Sequence, residues 1–133
     1  MPVELTKNHV RGTVLLHPKD GVSFEEFDKY WIEKHGDLFS SLPIVKKNLI
    51  KYEQFHFNAD LNKELAKVGL YKSPYYGIAN FEAESDEKLL EVFEDPEYKR
   101  LLLPDEDKFF DKSMSELIVG KMAVFIDKTR AQP

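Results

Sequence analysis

The segment from residue 23 to residue 43, SFEEFDKYWIEKHGDLFSSLP, carries the reading on which the fold turns. Ser23 is suited to cap a helix, and Glu26 stands three residues on to complete a capping box. At ~100° per helical residue, Phe24, Phe27, Trp31, Leu38 and Leu42 form a stripe roughly 60° wide, and Pro43 closes the helix. His35 falls at the edge of that stripe, so the helix aims an ionisable ring at whatever its apolar face covers.

A strand is expected on each side of this helix. The first runs from about His9 to His17 and stops at the turn cluster Pro18-Lys19-Asp20-Gly21. The second runs from about Asn48 to Asn58, with Ile50, Tyr52, Gln54 and His56 on one face and Lys51, Glu53, Phe55 and Phe57 on the other. Residues 59–69 read as a short helix within a long connection, and Tyr75 to Ala83 as a third strand. Ser85 caps a helix from Asp86 to about Glu94, and Asp95-Pro96 starts another piece that Leu101-Leu102-Leu103-Pro104 ends. Asp105 to Lys112 reads as a charged loop, Glu116 to Asp127 as the last strand, and residues 128–133 as a tail.

The order β-α-β-β-α-β is that of a ferredoxin-like α+β fold: an antiparallel sheet with helices on one face. With 133 residues, 42% of them hydrophobic, the chain is expected to form one domain over 1–133. The last strand carries large apolar groups on both faces, so the sheet face away from the helices needs cover; a second copy, in a homodimer, is the simplest cover.

Composition excludes several function classes. Net charge is -5 with acids and bases interspersed, which argues against nucleic acid, because phosphate contacts need clustered Lys and Arg. The chain has no cysteine, so disulfides, thiolate nucleophiles and thiolate metal sites are out. No histidines stand at i, i+4, and the six glycines are scattered singly, so neither a metal site nor a phosphate loop is expected. The longest early apolar stretch is Val14-Leu15-Leu16, too short for a signal or a membrane span. A cytoplasmic protein is expected.

Acid–base chemistry is what remains. Histidine gives and accepts protons near neutrality. Tyr52, Gln54 and His56 line one strand face over ~13 Å. Turned toward the helices, they would enter the same interior as His35 and demand partners, which a pocket holding water or substrate would supply. Turned outward, they would form a polar face open to solvent. Asp105 could orient a histidine or the loop backbone, and Lys108 could offer a charge to a carboxylate or phenolate. Trp31 reads as a pocket wall. His9 and His17 read as structural or surface residues.

Four segments resemble the EthD-like family of the dimeric α+β barrel superfamily, in particular its small fungal members. They are Phe24-Glu25-Glu26-Phe27-Asp28-Lys29-Tyr30-Trp31 followed by His35 and Gly36; Leu42-Pro43 with Tyr52-Glu53-Gln54-Phe55-His56; Asp95-Pro96-Glu97-Tyr98; and Pro104-Asp105-Glu106-Asp107-Lys108-Phe109. Near the third strand such proteins often show Asp-Gly, where this chain has Tyr76-Gly77. The resemblance implies a dimeric α+β barrel with one pocket per subunit, between sheet and helices, and no organic cofactor or metal. Such relatives include decarboxylases, cofactor-free oxygenases, isomerases and cyclases acting on aromatic or polyketide-like molecules.

The expected function is therefore a cofactor-independent lyase, first of all a decarboxylase of a hydroxylated aromatic or polyketide-derived acid. His35, His56 and Tyr52 are the expected catalytic residues, with Gln54, Trp31, Asp105 and Lys108 at the substrate. A cofactor-free oxygenase of a phenol or anthrone, a polyketide cyclase or dehydratase, and a non-catalytic small-molecule-binding protein are the alternatives.

Overall fold

Ser23 accepts the Glu26 backbone N–H at 3.1 Å and its hydroxyl meets the Glu26 carboxylate at the same distance. A cap of this kind stabilises a helix by about 1 kcal/mol. In the computed structural model, which describes residues 2–129, it starts a helical stretch whose first part is α1 (Phe24–Tyr30). There follow a π-helical turn (Trp31–His35), α2 (Gly36–Ser41) and, after Leu42, a short α3 (Pro43–Asn48). The strands are β1 (Val10–Leu16), β2 (Leu49–His56), β3 (Gly77–Ala83) and β4 (Glu116–Gly120). The remaining helices are α4 (Ala59–Lys67), α5 (Asp86–Glu94) and α6 (Pro96–Glu106).

The sheet has the order β2-β3-β1-β4 with every pairing antiparallel. This is the ferredoxin-like arrangement expected from the sequence. Val10, Val14 and Leu16 of β1 and Ala79, Phe81 and Ala83 of β3 face Phe27, Trp31, Phe39, Leu89, Val92 and Leu102 across the core. Two glycines allow the layers to approach. A Cβ at Gly77 would lie 2.4 Å from Cζ3 of Trp31, so the indole rests on bare backbone; a Cβ at Gly36 would lie 2.8 Å from Nε2 of Gln54. The glycine of the Tyr76-Gly77 step is thus explained by the tryptophan above it.

The opposite sheet face is mixed. Glu82 is buried there among His9, Arg11 and Lys51, with nitrogen–oxygen distances of 3.3, 3.5 and 3.9 Å. Phe55 and Ile118, in register with Ile78 and Thr13, are more than half exposed on that face.

Several elements depart from the sequence reading, each for a local reason. Pro43 opens α3 instead of only closing the long helix, because proline suits the first helical position. A β-bulge places Ile50 as an extra residue between the Leu49–Ala83 and Lys51–Glu82 pairs, so Leu49, not Ile50, packs against the core in line with Tyr52. Helix α6 runs through Pro104 to Glu106, so Asp105 lies on the last helical turn and not in a loop. Strand β4 ends at Gly120, opposite Arg11; beyond it the chain meets the N-terminal segment through a Leu5–Ala123 bridge and a Thr6 N–H to Met122 carbonyl bond of 2.8 Å. Of the tail expected over 128–133, residues 130–133 lie outside the described residues.

Candidate active site

A cavity of about 200 Å³ lies between the sheet and the helices. Trp31 and His35 of the π turn border it, with Phe39 of α2, Tyr52 of β2, Phe81 of β3, and Tyr98 and Glu106 of α6. Lys112, Ser115 and Leu117 stand at the β4 side.

The π turn sets this geometry. Its widened spacing lets the Gly36 N–H reach the Trp31 carbonyl, five residues back, and leaves that carbonyl room for a second donor. Nε2 of Gln54 supplies it at 3.0 Å. In consequence Trp31 and His35 are both buried, and so is Phe39, which a regular helix would place about 60° off the apolar stripe.

His35 is held by Asp105. Its Nδ1 lies 2.8 Å from Oδ2, while the Tyr30 hydroxyl donates to Oδ1. The carboxylate therefore fixes the tautomer with hydrogen on Nδ1, which leaves Nε2 as the lone-pair nitrogen with no hydrogen-bond partner among the described residues. Burial pushes the ring below the ordinary histidine pKa, against the pull of Asp105, which favours the neutral imidazole. Burial, with help from Asp105, pushes the Tyr30 phenol up to about 12.

Across α6, the Tyr98 hydroxyl donates to Oε2 of Glu106, and Lys112 Nζ lies 3.5 Å from Oε1. Burial pushes the Glu106 carboxyl above the usual carboxylate range despite both contacts. Tyr98 is raised as well, first by burial and then by the neighbouring carboxylate. Burial thus favours the uncharged form of both an imidazole and a carboxyl that border one aromatic-walled space.

The residues named from sequence are distributed around this space. Trp31, His35 and Tyr52 border it. Gln54 lies behind Tyr52, donating to the tyrosine oxygen at 3.0 Å. His56 is not among the bordering residues; it packs against Trp31 with ring centroids 4.7 Å apart and planes tilted by 38°, and bonds Asp28 and Gln54. The two imidazoles therefore do not converge on one hollow. Asp105 has both oxygens engaged behind His35 and does not border the cavity. Lys108 is largely exposed, 3.8 Å from Asp105, and its amine belongs to the outer surface. Glu106, Tyr98 and Phe39 were missed. Glu106 and Tyr98 stand eight residues apart, on one helical face once α6 is seen to continue through Pro104.

Among the described residues no group of three or more His, Asp or Glu side chains is placed to hold a metal ion. No helix is long and apolar enough to cross a membrane.

The EthD domain family model matches residues 19–113, which include α1, the π turn, β2 and all of α6. This chain belongs to the EthD domain family. A curated EthD relative is 25% identical over 129 residues, covering 91% of this chain and 87% of its own: the "conidial pigment biosynthesis dehydratase EthD" of Metarhizium robertsii (strain ARSEF 23 / ATCC MYA-3075). Among solved structures, an EthD family protein of Bacillus halodurans superposes with a TM-score of 0.60 at 15% identity, covering 86% of this chain and 98% of that one. A protein of Bacteroides fragilis described as dimeric and ferredoxin-like gives 0.60 at 12% identity, covering 86% and 97%. At these identities the solved structures speak for the EthD fold alone.

Proposed function

We propose that this EthD protein is a cofactor-independent lyase that removes water from a hydroxylated, partly aromatic or polyketide-type ketone. The observation that carries the reading is the meeting of His35, fixed by Asp105, with Glu106 at one aromatic cavity, where burial favours the uncharged form of each.

In this reading Nε2 of His35 takes the proton on the carbon next to the ketone, and the C–H electrons flow into an enolate. The Tyr52 hydroxyl, whose pKa burial raises to about 12, stays a phenol and donates to the developing enolate oxygen. The enolate then expels the β-hydroxyl as its C–O bond breaks, and Glu106 gives that oxygen its proton. Water leaves, the carbon–carbon double bond forms, and the proton on His35 returns to Glu106 through solvent. Phe39, Phe81 and Trp31 supply flat walls for a planar product. The dehydratase name of the Metarhizium relative agrees with this reaction class. Decarboxylation draws less support, because His56, the second imidazole it would use, lies outside the cavity.

The functional unit is inferred to be a homodimer joined through the sheet face that carries Phe55 and Ile118, in keeping with the dimeric description of the Bacteroides neighbour.

The test is incubation with 3-hydroxy-1-tetralone, a β-hydroxy ketone whose dehydration yields 1-naphthol. Product fluorescence and loss of the mass of water are expected, without carbon dioxide release or oxygen uptake. Carbon dioxide release from a hydroxylated aromatic acid with no action on β-hydroxy ketones would overturn the dehydration reading.

A further inference from the structure

Behind the cavity wall a chain of hydrogen bonds starts at His56 and runs through Gln54 to Tyr52, with Asp28 on the far side of the ring. Nδ1 of His56 lies 2.5 Å from Oδ1 of Asp28, and Nε2 lies 2.7 Å from Oε1 of Gln54. The orientation of the Gln54 amide is fixed independently: its nitrogen faces the Trp31 carbonyl at 3.0 Å, which can only accept. The amide oxygen must therefore face His56. Both imidazole nitrogens then meet acceptors, a carboxylate on one side and an amide oxygen on the other. A neutral ring has one N–H and satisfies one of these contacts; the imidazolium satisfies both. The Trp31 ring, tilted by 38° with its centroid 4.7 Å away, adds a π system that favours a cation.

The other N–H of Gln54 donates to the Tyr52 oxygen at 3.0 Å. The tyrosine oxygen is thus already an acceptor, and its own hydrogen has no partner among the described residues, while its ring borders the cavity.

We propose that Asp28 holds His56 as an imidazolium, and that His56 acts through Gln54 to make Tyr52 a fixed, polarised donor to a carbonyl or phenolic oxygen in the cavity. Asp28, His56 and Gln54 are positioning residues; Tyr52 alone of the four reaches the guest. This deepens the reading of Tyr52 given above and rests on it for the identity of the guest's oxygen. Asp28 on α1 is the charged group bonded to the ring; Trp31 on the π turn and Gln54 on β2 are its other neighbours. Loss of a proton from His56 turns one of its two contacts into a repulsion between lone pairs, which breaks the relay at Gln54 or at Asp28.

Two measurements test this without turnover, so failure of the dehydration reading leaves them standing. Nitrogen-15 NMR of the wild-type imidazoles at pH 7 is expected to show both nitrogens of His56 protonated; one unprotonated nitrogen overturns the proposal. Binding of 2-naphthol at pH 7 is expected to weaken in Asp28→Asn, which removes the charge that holds the ring doubly protonated. Tyr52→Phe is expected to bind about tenfold more weakly, with no further effect of Asp28→Asn in that background. Unchanged binding in Asp28→Asn, or no detectable 2-naphthol binding to the wild type, overturns the relay.

Discussion

Nδ1 of His35 lies 2.8 Å from Oδ2 of Asp105, a contact that joins the π turn to the last turn of α6 across a separation of seventy residues. Neither side chain has another route to this arrangement. The histidine needs an acceptor to fix its tautomer, and the carboxylate needs donors to be tolerated in the core. Asp105→Asn keeps the shape but can present an N–H to Nδ1, which reverses the tautomer and turns Nε2 into a donor. Turnover of the β-hydroxy ketone is expected to fall by about 100-fold or more, with the circular dichroism spectrum unchanged.

The opposed pKa displacements of His35 and Glu106 make the rate depend on pH in a definite sense. The base works when His35 has lost its proton, on the alkaline side of a value below the ordinary 6.5. The acid works while Glu106 keeps its proton, on the acid side of a value above 4.5. A plot of kcat/KM against pH is expected to be bell-shaped. Glu106→Gln should lose the alkaline limb and most of the rate, and an alkaline limb that survives this change would remove Glu106 from the reaction.

Tyr52 links the same site to stability. Its folded pKa of about 12 exceeds the ordinary 10.0, so the folded state holds this proton longer than the unfolded chain does. The stability at stake is complete below pH 10 and is lost as the pH rises toward 12. Two pKa units amount to about 3 kcal/mol at most for this buried group. Urea unfolding of Tyr52→Phe is expected to decline less than that of the wild type over this interval.

Gly77→Ala forces a methyl group to within 2.4 Å of the Trp31 ring, where β3 backbone and indole both lack room to retreat. A loss of about 1–3 kcal/mol is expected, as for other overpacked cores, measured as a lower denaturation midpoint at unchanged slope. Because Trp31 borders the cavity and carries His56 on its ring, 2-naphthol binding should suffer in the same variant.

The dimer reading places Ile118 at a buried joint. Ile118→Lys would set two charges in an apolar contact, and light scattering is expected to report a monomer. A monomer in the wild type at the same concentration would sink the dimer reading.

Much of the fold was legible because its punctuation is local. Ser23, Ser85 and Asp95 cap helices through contacts two or three residues away, and the alternation of Tyr52, Gln54 and His56 places all three side chains on the helix side of β2. What escaped depends on contacts distant in sequence. Pro104 stops an isolated helix, yet α6 continues because Asp105 is gripped by His35 and Tyr30 and Glu106 by Tyr98. Ile50 reads as part of the inward row until a bulge against β3 displaces it. Glu106 draws no notice in the sequence for the same reason that Asp105 reads as part of a loop: a carboxylate after a proline looks solvated unless its partners are known.

The π turn has a consequence for the rest of the long helix. One additional residue in a helical turn rotates everything after it by about 100° relative to what precedes it. Upstream, Phe27 and Trp31 face inward at ordinary spacing; downstream, Phe39 faces the cavity while Leu38 is only partly covered. Tightening the π turn to an even pitch at unchanged length would swing Phe39 out and Leu38 in, whereas deleting one residue between Trp31 and Gly36 would remove the extra residue and keep Phe39 facing the wall. The shape offered to a guest is thus encoded in the phase of the helix as much as in the side chains it bears.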